Sequence, residues 1–400
     1  MIEPGGLDRL IFSGFLAYRS QTQVKMRFIL KKIVYNLISD KKFSEILTGS
    51  AWALGAQIIA TCIAMASNII IARVYGADAM GAVAMINSFL MVISIFTVLG
   101  TNTSIMRLIP EHIATFSATS AYKVYRKIQY FIICVSIIAG GLFFFGSDLV
   151  AKKIFSKPHL ASLFEMASVF IIFKSLMDLN TQSVRGLRLV RAFAFMRILP
   201  SFSNLLVLLG ATYFVFNQFN PVYAVFASFM ITAIAGILIM EREFRKKMGI
   251  SDSVKEMPMK NILSISVPML MTATMGFVIG QTGVILLGMF RSDAEVGYYA
   301  IAVKLATLIT FILQAINSMA APKFSELYHS GKIDELLYVG KKSAKLIFWT
   351  SAPVLLVLLI SGKFLLGLLF GQEFVVAYLA MFFLVIGQFI NAISGSTGLF

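Results

Sequence analysis

Charged residues are scarce in this sequence of 400 residues, since Asp, Glu, Lys and Arg together make up only 14%. Soluble domains carry about 25% charged residues. Hydrophobic residues account for 58% of the chain, and the mean hydropathy is +0.84. This composition excludes an ordinary soluble protein and favours a chain that is embedded in a lipid bilayer.

Cysteine and histidine are also scarce. The two cysteines, Cys62 and Cys134, lie within long apolar runs, so we predict no disulfide framework. The three histidines lie far apart, and no His and Cys cluster has metal-ligand spacing, so we predict neither a metal site nor a cofactor. Without a nucleophile beside a base or a glycine-rich phosphate loop, the sequence also predicts no enzyme activity.

Acidic residues are outnumbered, with 19 Asp and Glu against 35 Lys and Arg and a net charge of +16. The basic residues lie between apolar runs and form no basic face on a soluble fold, which excludes nucleic-acid binding. The segments between the runs alternate between the two sides of the membrane. Those on the side of the N-terminus hold 27 Lys and Arg residues, and those on the other side hold 6. Because cytoplasmic loops are rich in Lys and Arg, we predict a multi-pass protein of the cytoplasmic (inner) membrane with a cytoplasmic N-terminus.

Ten apolar runs are long enough to cross a bilayer, which needs roughly 20 helical residues. A polar break from Asn217 to Pro221 divides one long run in two, and Pro268 predicts a bend in another. The predicted crossings are residues 46–72, 79–106, 128–147, 160–183, two within 198–240, 261–290, 296–321, 346–362 and 374–400.

A weak internal repeat relates the two halves of the chain. Gly81 precedes Arg107 by 26 positions, and Gly297 precedes Lys323 by the same interval, at an offset of 216 residues. Six crossings return the chain to the starting side, so we predict an all-α protein of two parallel-repeat six-helix lobes around a central cavity. The alternative is that apolar helices share glycine and alanine by composition alone.

This reading divides the chain into four parts. Residues 1–45 are a basic cytoplasmic segment, and the stretch 27–47 forms either an amphipathic helix on membrane lipids or a solvated tail. Residues 46–240 are an N-lobe, 241–260 a cytoplasmic linker, and 261–400 a C-lobe. With four helices where the first lobe has six, the C-lobe is expected to be truncated. Translation could start at Met1 or at Met26.

Charges within the apolar runs are the candidate site residues. Lys174, Asp178, Thr181, Gln182 and Arg185 share one helix face and extend over about 16 Å. A charge at the bilayer centre costs roughly 2.5–3.5 kcal/mol, so this stripe should face water or protein. The stripe is either a cavity wall that binds an anionic group, or it contains an ion pair in which Lys174 and Asp178 neutralise each other. As a deep carboxylate, Asp178 is also a candidate for ion coupling.

Lys304 is the second intramembrane cation, with no acidic residue within one helical turn. It is either a cationic contact from the second lobe or a lysine that extends to the membrane surface. Asn87, in the run 79–106, either lines the same cavity or forms a hydrogen bond between helices.

Several stretches are similar to those of a known family. These are SVPMLMTATMGFVIGQTGVILLGMF with DAEVGYYAIAVKLATLITFILQAINSMAAPKFSELYHSG in the second half, and IARVYGADAMGAVAM with LGTNTSIMRLIPEH in the first. Over roughly residues 46–400 the chain resembles the polysaccharide flippases of the multidrug/oligosaccharidyl-lipid/polysaccharide exporter superfamily. The resemblance implies a cationic cavity between two rocking lobes, for which Lys174, Arg185 and Lys304 are our candidates.

The resemblance also implies the substrate, a polyprenyl-diphosphate-linked oligosaccharide that passes from the inner to the outer leaflet. The chain departs from relatives that have an acidic residue near the position of Gly283, which places ion coupling there in question. Two alternatives stay open: a cation-coupled drug or metabolite exporter of the same superfamily, and a membrane-embedded glycan polymerase or glycosyltransferase. The second needs a large catalytic loop, whereas the loops here reach about 20 residues.

Overall fold

A computed structural model describes residues 41–248 and 256–394, and these residues form helices without a β-strand. The chain divides into two compact units, Met1–Trp52 and Ala53–Phe400, and the packing described below lies within the second. Most of the predicted basic segment 1–45 and part of the predicted linker lie outside the described residues.

Eleven α-helices occupy the described residues. They are α1 (Lys41–Ile70), α2 (Gly76–Val98), α3 (Thr101–Thr115), α4 (Ala118–Leu149), α5 (Ala161–Gly186), α6 (Val190–Phe214), α7 (Asn220–Lys247), α8 (Met259–Phe290), α9 (Asp293–His329), α10 (Ile333–Leu369) and α11 (Tyr378–Ile393). Short π-helices, Ile71–Tyr75 and Val150–Ile154, follow α1 and α4, and short 3-10 helices, Pro158–Leu160 and Gln372–Ala377, precede α5 and α11.

The all-α, multi-pass membrane class is confirmed. Eight described helical stretches are long and apolar enough to cross a bilayer, or nine if the bent α8 counts as one span. One of them, Trp52–Val98, has 47 residues and contains most of α1 and all of α2, which begins at Gly76 with φ 80°. At 1.5 Å per residue it would reach about 70 Å, more than twice the hydrocarbon thickness, so this stretch supplies two crossings.

The predicted crossing 79–106 is wrong in one respect, because the helix breaks near its end. Leu99 and Gly100 both adopt positive φ, 46° and 75°, and α3 then begins at Thr101. At Gly100 a Cβ atom would lie 2.3 Å from the carbonyl oxygen of Ser266 in α8. Glycine therefore permits both the left-handed turn and the close approach of α8.

Three other boundaries refine the sequence reading. The predicted break at Asn217–Pro221 is confirmed, since α6 ends at Phe214 and α7 begins at Asn220. Helix α7 continues to Lys247, so the first residues of the predicted linker are helical. The bend in α8, of 47°, lies between Met271 and Thr274, one turn after Pro268.

Helix α2 occupies the centre of the bundle and packs against α5, α8 and α9. More than half of its residues are buried, including Met80, Ile86 and Leu90. Lipid tails are as apolar as these side chains, so close van der Waals packing and hydrogen bonds between helices stabilise such a bundle. One such bond joins α2 to α8, where Ser88 donates to Gln281 Oε1 over 2.8 Å.

The repeated glycines meet where α2 crosses α9. A Cβ atom on Gly81 would lie 1.8 Å from the carbonyl oxygen of Asp293, and one on Gly297 would lie 2.2 Å from that of Ala77. Ala77 and Asp293 are themselves 216 residues apart, as are the two glycines. The offset of 216 residues therefore relates the two contacts to each other, as a two-fold axis relates equivalent residues.

We expect Gly81→Ala and Gly297→Ala each to destabilise the protein by about 1–3 kcal/mol, the usual cost of overpacking. The added methyl group meets a backbone carbonyl, which cannot rotate away. Thermal unfolding in detergent measures the effect, with Gly141→Ala as the control, since a Cβ there has nothing within 4 Å. Thermal unfolding midpoints equal to that of Gly141→Ala would show that α2 and α9 do not pack closely at this crossing.

Candidate functional site

A cavity of about 370 Å³ lies among α1, α5, α6 and α9. Its wall is polar for the interior of such an apolar bundle. The charged and amide side chains of this wall are Gln57, Asn68, Asp178, Gln182, Arg197 and Lys304. A polar wall at membrane depth requires either water or a polar ligand, because hydrocarbon cannot satisfy these groups.

Two cations reach this cavity from different halves of the chain. Arg197 of α6 donates through Nε to Gln57 Oε1, and Lys304 of α9 donates through Nζ to Asn68 Oδ1. Both acceptors are neutral amides on α1, so they position the cations without cancelling their charge. Guanidinium has five donor hydrogens and ammonium three, which leaves donors for a ligand.

The carboxylate of the wall, Asp178, is already paired. Lys174 Nζ donates to Asp178 Oδ2 one turn along α5, and the same Nζ lies 5.9 Å from the ring centre of Phe229. The Lys174 side chain is 11% exposed and the Asp178 side chain 26%. Lys174 itself does not line the cavity. The structure thus contains the self-neutralising pair, the second of the two arrangements that the sequence allows.

Gln182, one turn after Asp178 on α5, also lines the cavity. Its Oε1 is shielded from solvent and accepts no hydrogen bond from the described part of the chain. A buried acceptor without a donor is destabilising, by roughly 1–3 kcal/mol. A ligand hydroxyl or a water molecule in the cavity would remove that cost.

Two other predicted site residues do not line this cavity. Arg185 is exposed at the end of α5, where its guanidinium carbon lies 5.7 Å from the ring centre of Phe193. Asn87 is half-buried in α2. The structure therefore brings together Asp178, Gln182 and Lys304 of the predicted set.

The sequence reading missed Arg197 and the polar face of α1. Arg197 was assigned to a cytoplasmic loop, whereas α6 begins at Val190 and places it two turns inside a helix. Met196, Pro200 and Ser201 line the cavity beside it at helical spacing, a signal that the sequence contains. In α1 the polar lining residues recur every four or seven positions, at Gln57, Thr61 and Asn68.

Polar contacts join the two halves of the chain where α2 and α9 begin. Lys157, in the loop between α4 and α5, donates to the Asp293 carboxylate and, over 2.8 Å, to the Arg291 carbonyl oxygen. His159 Nε2 lies 2.7 Å from the other carboxylate oxygen of Asp293. Arg73 donates to the last carbonyl groups of α10, including that of Leu369 over 3.2 Å. Together with the glycine crossing, these contacts hold this end of the bundle closed.

The fold is that of a known class of transporters. It resembles the inward-facing conformation of a multidrug resistance MATE family transporter of the MOP superfamily, with a TM-score of 0.67 and 14% identity over 88% of this chain and 85% of that chain. It also resembles the MATE multidrug transporter DinF-BH in complex with R6G, with a TM-score of 0.61 and 15% identity over 87% and 80% of the two chains.

A third similar structure is a MOP superfamily transporter from Pyrococcus furiosus, with a TM-score of 0.57 and 12% identity over 87% of this chain and 84% of that chain. That transporter is described as having a binding pocket of reverse polarity, which suggests a different function. At sequence identities this low, the three similarities establish the fold alone.

The sequence comparison defines the family. The chain belongs to the family described as polysaccharide biosynthesis protein, whose model matches residues 77–378. No curated protein sequence matches the chain. The protein is therefore a multi-pass membrane protein of a polysaccharide biosynthesis family, with a fold similar to that of MOP superfamily transporters.

The Lys174–Asp178 pair can be tested by a double-mutant cycle. We expect Asp178→Asn alone to destabilise the protein, because it leaves the Lys174 ammonium without its anion. The cost should be a fraction of the roughly 3–5 kcal/mol for a fully buried pair, since Asp178 faces the cavity. Lys174→Met with Asp178→Asn should recover much of the loss. Additive single effects in thermal unfolding would contradict this pairing.

Proposed function

We propose that the protein is a flippase that moves a polyprenyl-diphosphate-linked oligosaccharide across the cytoplasmic membrane by alternating access, for surface polysaccharide biosynthesis. The observation that carries this proposal is a cavity with two uncancelled cations, Arg197 and Lys304, in a polysaccharide biosynthesis protein. Asp178 of this wall forms an ion pair with Lys174, which lies outside the lining.

A diphosphate suits this cavity in charge and in geometry. Arginine binds phosphate oxygens in a fork, and lysine adds a compact charge, so together they would bind adjacent phosphates through charge-assisted hydrogen bonds. Gln182 would contact a hydroxyl of the first sugar through its unpaired Oε1. A volume of about 370 Å³ is near the lower end for small-molecule sites, which favours a headgroup over a whole oligosaccharide.

The proposed orientation places the turn between α5 and α6 in the cytoplasm, in agreement with the Lys and Arg bias of the sequence. Arg185 lies in the last turn of α5, next to this cytoplasmic turn. Its role in the proposal is to attract the anionic headgroup toward the cavity, not to bind it inside. Such attraction falls with ionic strength.

A cation-coupled drug or metabolite exporter is the alternative, because the similar structures include multidrug transporters. That function requires an acidic cavity for a cationic substrate. Here Asp178 is compensated by Lys174, while Arg197 and Lys304 keep their charges, which favours an anionic substrate. Ion coupling through Asp178 stays a prediction, and we propose no enzyme activity.

Complementation of a flippase-deficient strain tests the proposal, with surface glycan as the readout. Wild-type protein should restore the glycan, whereas Lys304→Met and Arg197→Met should reduce it at unchanged protein level. A hydrogen bond to a charged group contributes roughly 1.5–3 kcal/mol, so each loss should be at least about tenfold.

The matched control is Lys363→Met, since Lys363 Nζ contacts the Tyr378 ring of α11, 5.2 Å from its centre, and does not line the cavity. This control should restore glycan as wild type does. Wild-type protein that restores no glycan but exports a cationic dye would favour the alternative function. Equal amounts of surface glycan from all variants would show that neither Arg197 nor Lys304 contributes to substrate binding.

A further inference from the structure

A second, larger cavity lies at the closed end of the bundle. Its volume is about 640 Å³, and its wall comes from the start of α2, the loop between α4 and α5, the turn before α7, the end of α8 and the start of α9. It shares no lining residue with the first cavity. Its lining includes Tyr75, Asp78, Lys157, Phe290, Arg291 and Asp293.

The buried charges of this cavity cancel one another. Lys157 is buried, and its ammonium is held by the Asp293 carboxylate and the Arg291 carbonyl oxygen. His159 contacts the second oxygen of Asp293 at 2.7 Å. The remaining charged groups of the lining are the exposed Asp78 carboxylate and the exposed Arg291 guanidinium, whose Nη1 also lies 4.0 Å from the Glu295 carboxylate. The basic groups Lys157 and Arg291 thus each have an acidic partner, so this cavity lacks the uncompensated cations of the first one.

Aromatic rings form another part of the wall. Tyr75 stacks on Phe216 at 5.1 Å between ring centres, and its hydroxyl pairs with Thr212, which fixes the ring. Phe290 also lines the cavity, and it is 78% exposed. Rigid rings offer apolar contact at low entropic cost, as they do in other binding sites.

The loop beneath the cavity is strained. Ser156, a lining residue, has a φ of 54°, in the left-handed region that residues other than glycine rarely adopt. Such strain costs of order 1–3 kcal/mol and persists where the surrounding structure imposes it, often at ligand sites. Here Lys157, the next residue, is held by Asp293 of the other half of the chain.

These groups select a ligand that is polar, uncharged and partly apolar. A sugar has hydroxyl groups that can donate to Asp78 and accept from Arg291, and a ring face of C–H groups that packs on aromatic rings. A phosphate would be repelled by Asp78, and an apolar molecule would leave these polar groups without partners.

We propose that this second cavity binds the uncharged sugar units of the glycan, separately from the cavity that takes the diphosphate. This inference rests on the proposed function. In the proposed orientation the cavity faces the outside, where the sugar units emerge as the α2 and α9 crossing opens. The protein then binds the two chemical parts of its substrate at opposite ends of the pathway.

Cysteine labelling of the full chain in detergent tests the two cavities independently. In a Cys62→Ser, Cys134→Ser background, Ser292→Cys reports on the second cavity and Thr307→Cys on the first. The probes are inorganic pyrophosphate and the neutral repeat-unit oligosaccharide, released from its lipid carrier in the source organism. The oligosaccharide should slow maleimide labelling of Ser292→Cys about fivefold and leave Thr307→Cys unchanged, and pyrophosphate should do the reverse.

Added variants identify the groups that bind the sugar. Asp78→Asn and Phe290→Ala should each raise the oligosaccharide concentration for half protection about tenfold, or about 1.4 kcal/mol. Two controls should leave that concentration unchanged: Asp148→Asn, an exposed carboxylate on α4, and Phe145→Ala, an exposed ring on the same helix.

The outcomes separate the two proposals. Protection of Thr307→Cys by pyrophosphate without any effect of the oligosaccharide would overturn the second cavity alone. Protection of both cysteines by the oligosaccharide would indicate one continuous site and also contradict this inference. Failure of pyrophosphate at Thr307→Cys would count against the diphosphate site and the proposed function, whatever happens at Ser292→Cys.

Discussion

The close crossing of α2 and α9 is the contact on which the rest of the structure depends. Gly81 and Gly297 let each helix touch a backbone carbonyl of the other, at Asp293 and Ala77. In a bilayer, where burial of apolar side chains gives little net gain, such close approach is a main source of helix association. The crossing also places the start of α9 beside the loop that carries Lys157, and this pairing reinforces it.

The first cavity follows from this arrangement, since α9 crosses α2 and then runs beside α1, where Lys304 reaches Asn68. The net charge of this cavity depends on which of the nearby cations have anionic partners. Lys174 has one in Asp178, whereas Arg197 and Lys304 are held by neutral amides. An intramembrane cation without an anion is costly unless water or a ligand supplies one, and the proposed diphosphate is such a ligand.

The sequence predicts the features that depend on local pattern and leaves out those that depend on contacts between distant segments. The break at Asn217–Pro221 and the repeated glycines are visible because proline and glycine act on their own backbone. The turn at Leu99–Gly100 depends on the Ser266 carbonyl of α8, which no local pattern reveals. For Lys174, spacing allowed both a ligand contact and an internal pair, and packing decides between them. Arg197 was missed because its helix begins earlier than its apolar run.

In the proposed function, the α2 and α9 crossing closes one end of a pathway that a diphosphate-linked substrate opens. The most direct test is a distance measurement between spin labels at Val74, before α2, and Glu295, in the first turn of α9, with Cys62 and Cys134 replaced. The account predicts one short distance in protein without substrate. Addition of a polyprenyl-diphosphate-linked oligosaccharide should add a second, longer population. A single unchanged distance with and without that lipid would contradict it and make the crossing a permanent junction.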